Sequence, residues 1–279
     1  MTYRPSPPPI KAGRTPGKAG VVTSQVQSLT RGLSILECLG LAEGGLTLTD
    51  IGQRVHLPPS TVHRLLATLE KMGYVYQAGE QGRWYVGVQA FTVGSSFLAS
   101  RDFIAQSHPF MRRLMDQSGE TVNLAILDGT EAVFVDQVQC REMMRTIVKL
   151  GSRAPLHASG VGKAMFASLP DDQIDAILKV RGLPRITGNT ITTPETMWAS
   201  VRVIRQRGWS FDDEEHALGT RCVASPICDE HAETLGAISL AGPSSRLPDD
   251  RIKQLGPLVA HTAEELTHRL GGKWPHGGK

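Results

Sequence analysis

Polar side chains suited to hydrogen bonding with DNA bases follow a double proline at Pro58 and Pro59. Proline cannot continue a preceding helix but is tolerated in the first turn of a new one, so the pair predicts a turn into a helix. Side chains that can hydrogen-bond to base edges and phosphates from a recognition helix then follow, at Ser60, Thr61, His63, Arg64 and Thr68. The stretch predicts a DNA-reading helix, on which Arg64 could contact a guanine or a phosphate.

Three helices are expected to position these side chains. The reading helix has apolar residues at intervals of three and four, at Val62, Leu65, Leu66, Leu69 and Met72. Gly73 supplies a left-handed stop after them. A first helix is predicted from Gln25 to Ala42, with apolar residues at helical intervals at Val26, Leu29, Leu33, Leu36 and Leu39 or Gly40. A short second helix is predicted between them, capped by Thr47 or Thr49.

The segment after the reading helix, YVYQAGEQGRWYVG, alternates apolar and polar residues on both sides of a glycine-containing loop. This alternation predicts a β-hairpin, which would form the wing of a winged helix-turn-helix over residues 25–87. Arg83 on the wing is expected to contact a phosphate. The alternative interpretation is a small helical domain with an ordinary solvated face.

Positive charge is concentrated near the start of the chain. The first acidic residue is Glu37, and it is preceded by five unopposed basic residues at Arg4, Lys11, Arg14, Lys18 and Arg31. Such a run suits a phosphate backbone, so Arg31 is a predicted DNA contact. Residues 1–24 contain five of the 17 prolines and predict a flexible basic arm. Residues 25–85 are neutral, with five basic and five acidic residues, so the DNA prediction does not depend on bulk charge.

Length and composition favour a cytoplasmic protein with two domains. The chain has 279 residues, a hydrophobic content of 40% and a charged content of 20%, which is ordinary for a globular protein. Its start lacks the apolar core of a secretory signal, and no stretch is long enough to suggest a membrane span. Four scattered cysteines in a chain of this size favour a reduced compartment.

A second domain is predicted over residues 118–272, after linker helices at 88–117 and before a tail at 273–279. Two alternating runs around Asp128-Gly129 predict a hairpin. Further strands are predicted at 144–148, 209–211, 221–227 and 235–241. Helices are predicted at 159–167, 170–179, 194–207 and 248–270. Strands and helices mixed without regular alternation indicate an antiparallel sheet with helices on its faces, so the fold class is α+β.

Small residues from Leu156 to Lys163 lead into one of these helices and favour an anion site. The backbone amides at a helix start carry partial positive charge, and Gly160 and Gly162 let a carboxylate approach them closely. The glycine spacing is not that of a nucleotide-binding loop, so no cofactor is predicted. The alternatives are that the glycines serve only close packing and that Lys163 is a surface residue.

The residues of the second domain suggest two other kinds of site, a nucleophilic site and a metal site. His157, Asp212 and Cys222 could form a nucleophilic unit, but no nucleophile elbow is present, so an enzyme is not predicted. A metal site could draw on Cys222, Cys228, His157, His216 and His231, but their spacing is not that of paired zinc ligands, so none is predicted. The run from Asp213 to Glu215 is expected to be solvated.

Several uncommon motifs make the chain resemble the IclR family of bacterial regulators from about Gln25 to Gly272. They are QVQSLTRGL, STVHRLLATL, GSSFL, SGETVN, DQVQC, HASGVGKA, RGWSFDDEEHALGTRCVA and ISLAGP. The resemblance implies a winged helix-turn-helix joined by a linker helix to a GAF-like α/β effector-binding domain. It also implies homodimers, often paired into tetramers, that bind palindromic promoter DNA and commonly repress transcription in response to small carboxylates.

The resemblance implies an effector of the glyoxylate or pyruvate type and a set of contact residues. These are Gly160, Val161, Asp212, Cys222 and Ser239. The chain departs from the pattern at Ala241, which replaces a serine, and at Thr146, Ala154 and Thr220, which replace bulky apolar residues. A roomier pocket would suit a larger hydroxylated or aromatic acid, and the alternative function is an activator or repressor of a catabolic operon that responds to such an acid.

Overall fold

The computed structural model describes residues 26–79, 82–99 and 102–275, and the chain divides into two compact units between Ser95 and Ser96. The basic arm predicted at 1–24 lies outside the described residues. Within them, no helix is long and apolar enough to cross a membrane. Each unit has a hydrophobic core of its own.

The N-terminal unit is a winged helix-turn-helix, as predicted. Its elements are α1 (Gln27–Leu41), α2 (Leu48–Arg54), α3 (Pro59–Lys71), β1 (Val75–Ala78) and β2 (Arg83–Val86). Thr47 caps α2 by a capping box with Asp50, in which each residue's side chain accepts from the backbone amide of the other. Strands β1 and β2 pair antiparallel to form the wing. A further helix, α4 (Val88–Ala99), follows the wing.

The predicted apolar face of α1 is only partly correct. Leu39 is buried and Leu36 packs against the core, but Val26, Leu29 and Leu33 are 64%, 62% and 51% exposed, and Ile35 completes the buried face. The helix has apolar residues on two sides, and periodicity alone does not say which side meets the core of its own unit. The exposed side borders a groove of about 1060 Å³ between α1 and α3, which Met72 also lines.

The C-terminal unit is a six-stranded antiparallel sheet with helices on both faces, which agrees with the predicted fold class. Its helices are α5 (Asp102–Ser118), α6 (Gly160–Ser168), α7 (Asp171–Arg181), α8 (Pro194–Arg207) and α9 (Asp249–Arg269). Its strands are β3 (Thr121–Asp128), β4 (Glu131–Val138), β5 (Arg153–Pro155), β6 (Ser210–Asp213), β7 (Thr220–Cys228) and β8 (Thr234–Pro243). Their order across the sheet is β5-β4-β3-β8-β7-β6.

Two separate cores flank the sheet. Helices α5 and α9 pack on the face that presents Val122, Val223 and Leu240. Helices α6 and α8 pack on the opposite face, which presents Ala125 and Ala224. Helix α5 falls almost entirely within the range 88–117, which was predicted as linker helices packing on a partner or a second domain, and its apolar side chains are buried in the first of these cores.

The strand predicted at 144–148 is absent, and one of the two edge strands of the sheet is β5, which was not predicted. Met144 and Ile147 are 72% and 60% exposed, so their apolar character does not reflect burial against a core. Strand β5 has only three residues, too few to give a recognisable alternation.

Candidate functional site

Helix α3 presents most of the predicted DNA-reading side chains to solvent. Ser60, His63, Arg64 and Thr68 are exposed and Thr61 is half-buried. The Thr68 hydroxyl donates to the Arg64 carbonyl at 3.0 Å, so one of its hydrogen bonds is made within the helix. Thr61, Arg64 and Thr68 line the groove between α1 and α3 together with Arg31, whereas Ser60 and His63 lie outside it.

The wing fixes Arg83 close to the start of α2. The Arg83 guanidinium donates to the Gly45 carbonyl at 3.1 Å. Hydrogen bonds from Thr47 lower the pKa of Asp50, and the nearby charge of Arg83 adds to this effect. Arg83 therefore has an internal partner, and its predicted phosphate contact stays a prediction. The wing tip at residues 80–81 lies outside the described part of the chain.

In the C-terminal unit, strand register brings three of the predicted effector contacts to one face of the sheet. Asp212 on β6 pairs with Cys222 on β7, and Ser239 on β8 pairs with Ala224, two residues from Cys222 along the same strand. Paired residues and alternate residues share a face of a sheet. The Ser239 hydroxyl is buried, lies beside the Cys222 thiol and has no regular hydrogen-bond partner within the described residues.

The start of α6 lies against this face. The Ser210 hydroxyl donates to the Gly160 carbonyl at 2.7 Å, and a Cβ atom on Gly160 would lie 2.5 Å from the Cys222 sulfur. Gly160, Asp212 and Cys222 are therefore close neighbours. The side chain of Val161 packs instead in the core between α6 and α8.

The backbone amides at the start of α6 are only partly used. Ser159 caps the helix, since its hydroxyl oxygen accepts from the Gly162 amide at 3.1 Å. Across the described ranges, the Gly160 and Val161 amides donate to no protein acceptor. Unpaired amides at a helix N-terminus, beside a buried hydroxyl, suit a carboxylate.

Burial dominates the electrostatics of Asp212. It raises the pKa of this carboxyl to about 7, although the charge of Lys163 and hydrogen bonds from two backbone amides act in the opposite direction. The Glu215 and His216 amides donate to Asp212 Oδ1 at 2.8 and 3.3 Å. Asp212 therefore exchanges a proton near neutral pH.

Lys163 and Glu215 are buried at this site, so their predicted solvent exposure is wrong. The Lys163 ammonium donates to Glu215 Oε1 and to the Phe211 carbonyl, and both side chains are more than 90% buried. One sequence signal was available, because Lys163 follows Gly160 by three residues and so shares its helical face. Glu215 gave no such signal, because it stands in a run of acidic residues and charged residues are usually solvated. Its neighbours Asp213 and Glu214 are partly exposed.

Neither alternative chemistry finds support in the geometry of the cysteines. Burial raises the pKa values of Cys222 and Cys228 to about 12, so both thiols are neutral and weakly nucleophilic. His157 Nε2 lies 3.0 Å from the Pro184 carbonyl. Among the described side chains, no three His, Cys, Asp or Glu residues gather closely enough to hold a metal ion. A register shift between Ile227 and Cys228 interrupts the alternation that would have put Cys222 and Cys228 on one face.

Replacing Gly162 with alanine is expected to lower the free energy of unfolding by about 1 to 3 kcal/mol. The added Cβ would lie 2.4 Å from the Pro155 carbonyl oxygen and 2.7 Å from the Leu156 Cα, and neither backbone atom moves easily. Urea denaturation of the purified protein measures the change. Gly188→Ala, which meets no atom within 4 Å, is the matched control, and equal stability of the two variants would contradict the prediction.

A winged helix-turn-helix followed in one chain by a separate sheet domain is the architecture of a DNA-binding transcription regulator. Family models match both parts: the IclR helix-turn-helix domain over residues 28–79, and the bacterial transcriptional regulator IclR C-terminal domain over residues 95–268. The chain therefore belongs to the IclR family. Members of this family are transcriptional regulators, and the protein is not an enzyme.

Full-length relatives are similar along nearly the whole chain. The acetate operon repressor of Salmonella typhimurium is 49% identical over 270 residues, covering 96% of this chain and 98% of the relative. The transcriptional repressor IclR of Escherichia coli is 48% identical with the same coverage. The crystal structure of the Thermotoga maritima IclR superposes with a TM-score of 0.75 at 26% identity, covering 88% of this chain and all of that one.

Proposed function

We propose that the protein is a cytoplasmic transcriptional repressor that binds a palindromic promoter operator and responds to a small carboxylate of the glyoxylate or pyruvate type. The observation that carries the proposal is that unused α6 amides lie against the same sheet face as Asp212 and a buried Ser239 hydroxyl, which is next to Cys222 and has no regular hydrogen-bond partner within the described residues. The similar full-length proteins named as repressors support the direction of regulation.

The DNA contacts are proposed on the first half of α3 and on its neighbours. They are Arg31, Ser60, Thr61, His63, Arg64, Thr68 and Arg83. Exposed hydroxyl, imidazole and guanidinium groups at the front of α3 are of the types that read base edges and phosphates. The side chains that face away from them, Val62 and Leu66, are fully buried and hold the helix in place.

A homodimer is the proposed form on DNA, because a palindromic operator presents two equal half-sites related by a two-fold axis. Exposed apolar side chains on α1 and α4 of the N-terminal unit support self-association: Val26, Leu29, Leu33, Val88 and Phe91. Apolar patches of this kind on a soluble domain commonly mark a protein interface. Pairing of two dimers on one promoter would give the tetramer implied by the family.

The effector contacts are proposed at Gly160, Val161, Asp212, Cys222 and Ser239. The Gly160 and Val161 amides would hold the carboxylate, while the Asp212, Cys222 and Ser239 side chains would contact its remaining oxygen atoms. A ligand that binds more tightly to the conformation that cannot bind DNA would then release the protein from the operator. No direct contact between effector and DNA is required for such coupling.

Arg64→Ala is expected to weaken operator binding by about 1 to 3 kcal/mol, roughly 5-fold to 150-fold in Kd, if Arg64 reads a base. Fluorescence anisotropy with the protein's own upstream region at fixed salt measures this affinity. Arg202→Ala is the control, because Arg202 is an exposed arginine of the other unit. Unchanged affinity of the Arg64 variant would exclude a base-reading role.

The effector class is tested by calorimetric titration with glyoxylate, pyruvate and larger hydroxylated or aromatic acids. Ser239→Ala should weaken binding of the preferred acid while leaving operator affinity in its absence unchanged. Binding of the aromatic acids alone would favour the larger effector class. Absence of binding by every acid would contradict carboxylate sensing.

A further inference from the structure

Three ionisable side chains are buried together where the effector is proposed to bind, and the inference that follows rests on that proposed function. Asp212 is the third residue of β6, Glu215 lies in the loop after β6, and Lys163 is on α6. The cluster thus contains two carboxyl groups and only one ammonium. If all three are ionised, the cluster has a net charge of −1 before any ligand arrives.

The ammonium is committed to one of the two carboxylates. Lys163 Nζ donates to Glu215 Oε1 and to the Phe211 carbonyl, whereas no hydrogen bond or salt bridge joins it to Asp212 within the described structure. Asp212 Oδ1 accepts two backbone amides, but Oδ2 makes no hydrogen bond to any described residue. Asp212 therefore has one satisfied oxygen and one that is able to hold a proton.

Among the residues that the structure describes, no other cation from the surrounding elements compensates Asp212. Burial and the proximity of His157 lower the pKa of His216, so His216 favours its neutral form, and the Cys222 thiol from β7 is neutral too. The Arg221 guanidinium is paired with Asp213 and Asp249. Ser239 from β8 contributes a hydroxyl, and the segment at 187–190 contributes only hydroxyl and amide groups, which bond to the carbonyls of 213–215.

We propose that the site binds a monocarboxylate together with one proton from solvent, and that this proton resides on Asp212 Oδ2 and is donated in a hydrogen bond to the ligand. Adding an anion beside an ionised Asp212 would bring the buried cluster to a net charge of −2, which is costly at low dielectric. Protonation of Asp212 keeps the charge at −1 and converts a repulsive oxygen into a donor.

The raised pKa of Asp212 places this coupling in a pH range where it can be observed. Burial raises the pKa of Asp212 to about 7, so the ligand-free site is largely protonated at pH 6 and largely ionised at pH 8.5. Affinity for an ionised acid is then nearly constant below pH 7. Above it, Kd rises by about tenfold per pH unit, because each binding event takes up a proton.

Titration calorimetry with pyruvate tests the proposal on the full-length protein. Pyruvate is ionised throughout, and measuring at each pH in two buffers of different ionisation enthalpy gives the number of protons taken up. We expect about one proton at pH 8.5 and close to none at pH 6. An affinity that is constant from pH 6 to 9, with no proton uptake, would overturn the inference and leave carboxylate sensing intact.

Two variants isolate the role of Asp212. Asp212→Asn, which always carries an amide donor, should bind pyruvate without proton uptake and with a Kd that no longer rises above pH 7. Asp213→Asn, a neighbouring partly exposed carboxylate, should retain both the uptake and the pH dependence. Loss of proton uptake in both variants or in neither would contradict the assignment.

The proposal does not require that pyruvate be the ligand. If neither pyruvate nor glyoxylate binds at any pH, carboxylate sensing of this type fails, while the protonation of Asp212 is still measured without ligand. The stability difference between wild type and Asp212→Asn must change between pH 5.5 and 8.5. A difference that stays constant over this range overturns the inference independently.

Discussion

Replacing Lys163 with methionine is expected to lower the free energy of unfolding of the C-terminal unit by about 3 to 5 kcal/mol. Methionine keeps the length and apolar volume of the lysine stem, so the change removes mainly the ammonium. The Glu215 carboxylate would then be buried without a cation, and the Phe211 carbonyl would lose its donor. The cost of an uncompensated buried charge is far larger than that of losing a surface ion pair.

Chemical denaturation at pH 7.5, followed by circular dichroism, measures this loss. Lys179→Met on α7 is the matched control, because Lys179 is exposed, and its stability should stay within about 0.5 kcal/mol of wild type. The double variant Lys163→Met/Glu215→Leu should recover most of the loss, since no charge then stays buried and unpaired. A Lys163→Met variant as stable as wild type would show that the pair does not hold α6 on the sheet.

Replacing Asp212 with asparagine is expected to stabilise the C-terminal unit at alkaline pH by up to about 4 kcal/mol. The pKa of Asp212 is raised from 3.8 to about 7 in the folded protein by burial. The neutral carboxyl therefore stabilises the fold fully below pH 3.8, and this contribution is lost as the pH rises to 7. Asparagine cannot ionise, so it avoids the loss while its oxygen still accepts the Glu215 and His216 amides.

The pH profile distinguishes this effect from a simple change in packing. The stability difference between variant and wild type should grow by about 1.4 kcal/mol per pH unit up to pH 7 and be constant above it. Thermal unfolding at intervals from pH 5.5 to 8.5 measures the profile. The Asp213→Asn variant should show no such growth, and a flat profile for Asp212→Asn would mean that Asp212 is ionised throughout.

Local sequence patterns predicted the N-terminal unit well because the interactions that define its helices and turns join residues close in sequence. The double proline, the capping threonine and the intervals of three and four apolar residues act within a few positions of each other. The burial of α1 was predicted only in part for a physical reason: one apolar side packs in its own unit and the other stays exposed. A single helix with two apolar sides does not reveal which one the fold covers.

The proposed effector site could be predicted only in part. The amides of Gly160 and Val161 follow from a local run of small residues, and Asp212, Cys222 and Ser239 entered through the family resemblance. Lys163 and Glu215 were missed because their contact joins residues 52 apart, through the packing of α6 on β6. Charged residues are usually solvated, and only tertiary structure reveals that these two are not.

The deep burial of Cys222 has a consequence for the conditions under which the protein can work. A thiol with a pKa of about 12 is ionised in roughly one molecule per hundred thousand at neutral pH, and peroxides and electrophiles attack the ionised form. The sulfur is therefore protected from oxidation by its surroundings. A carboxylate response that depends on Cys222, as proposed, would therefore persist during oxidative stress.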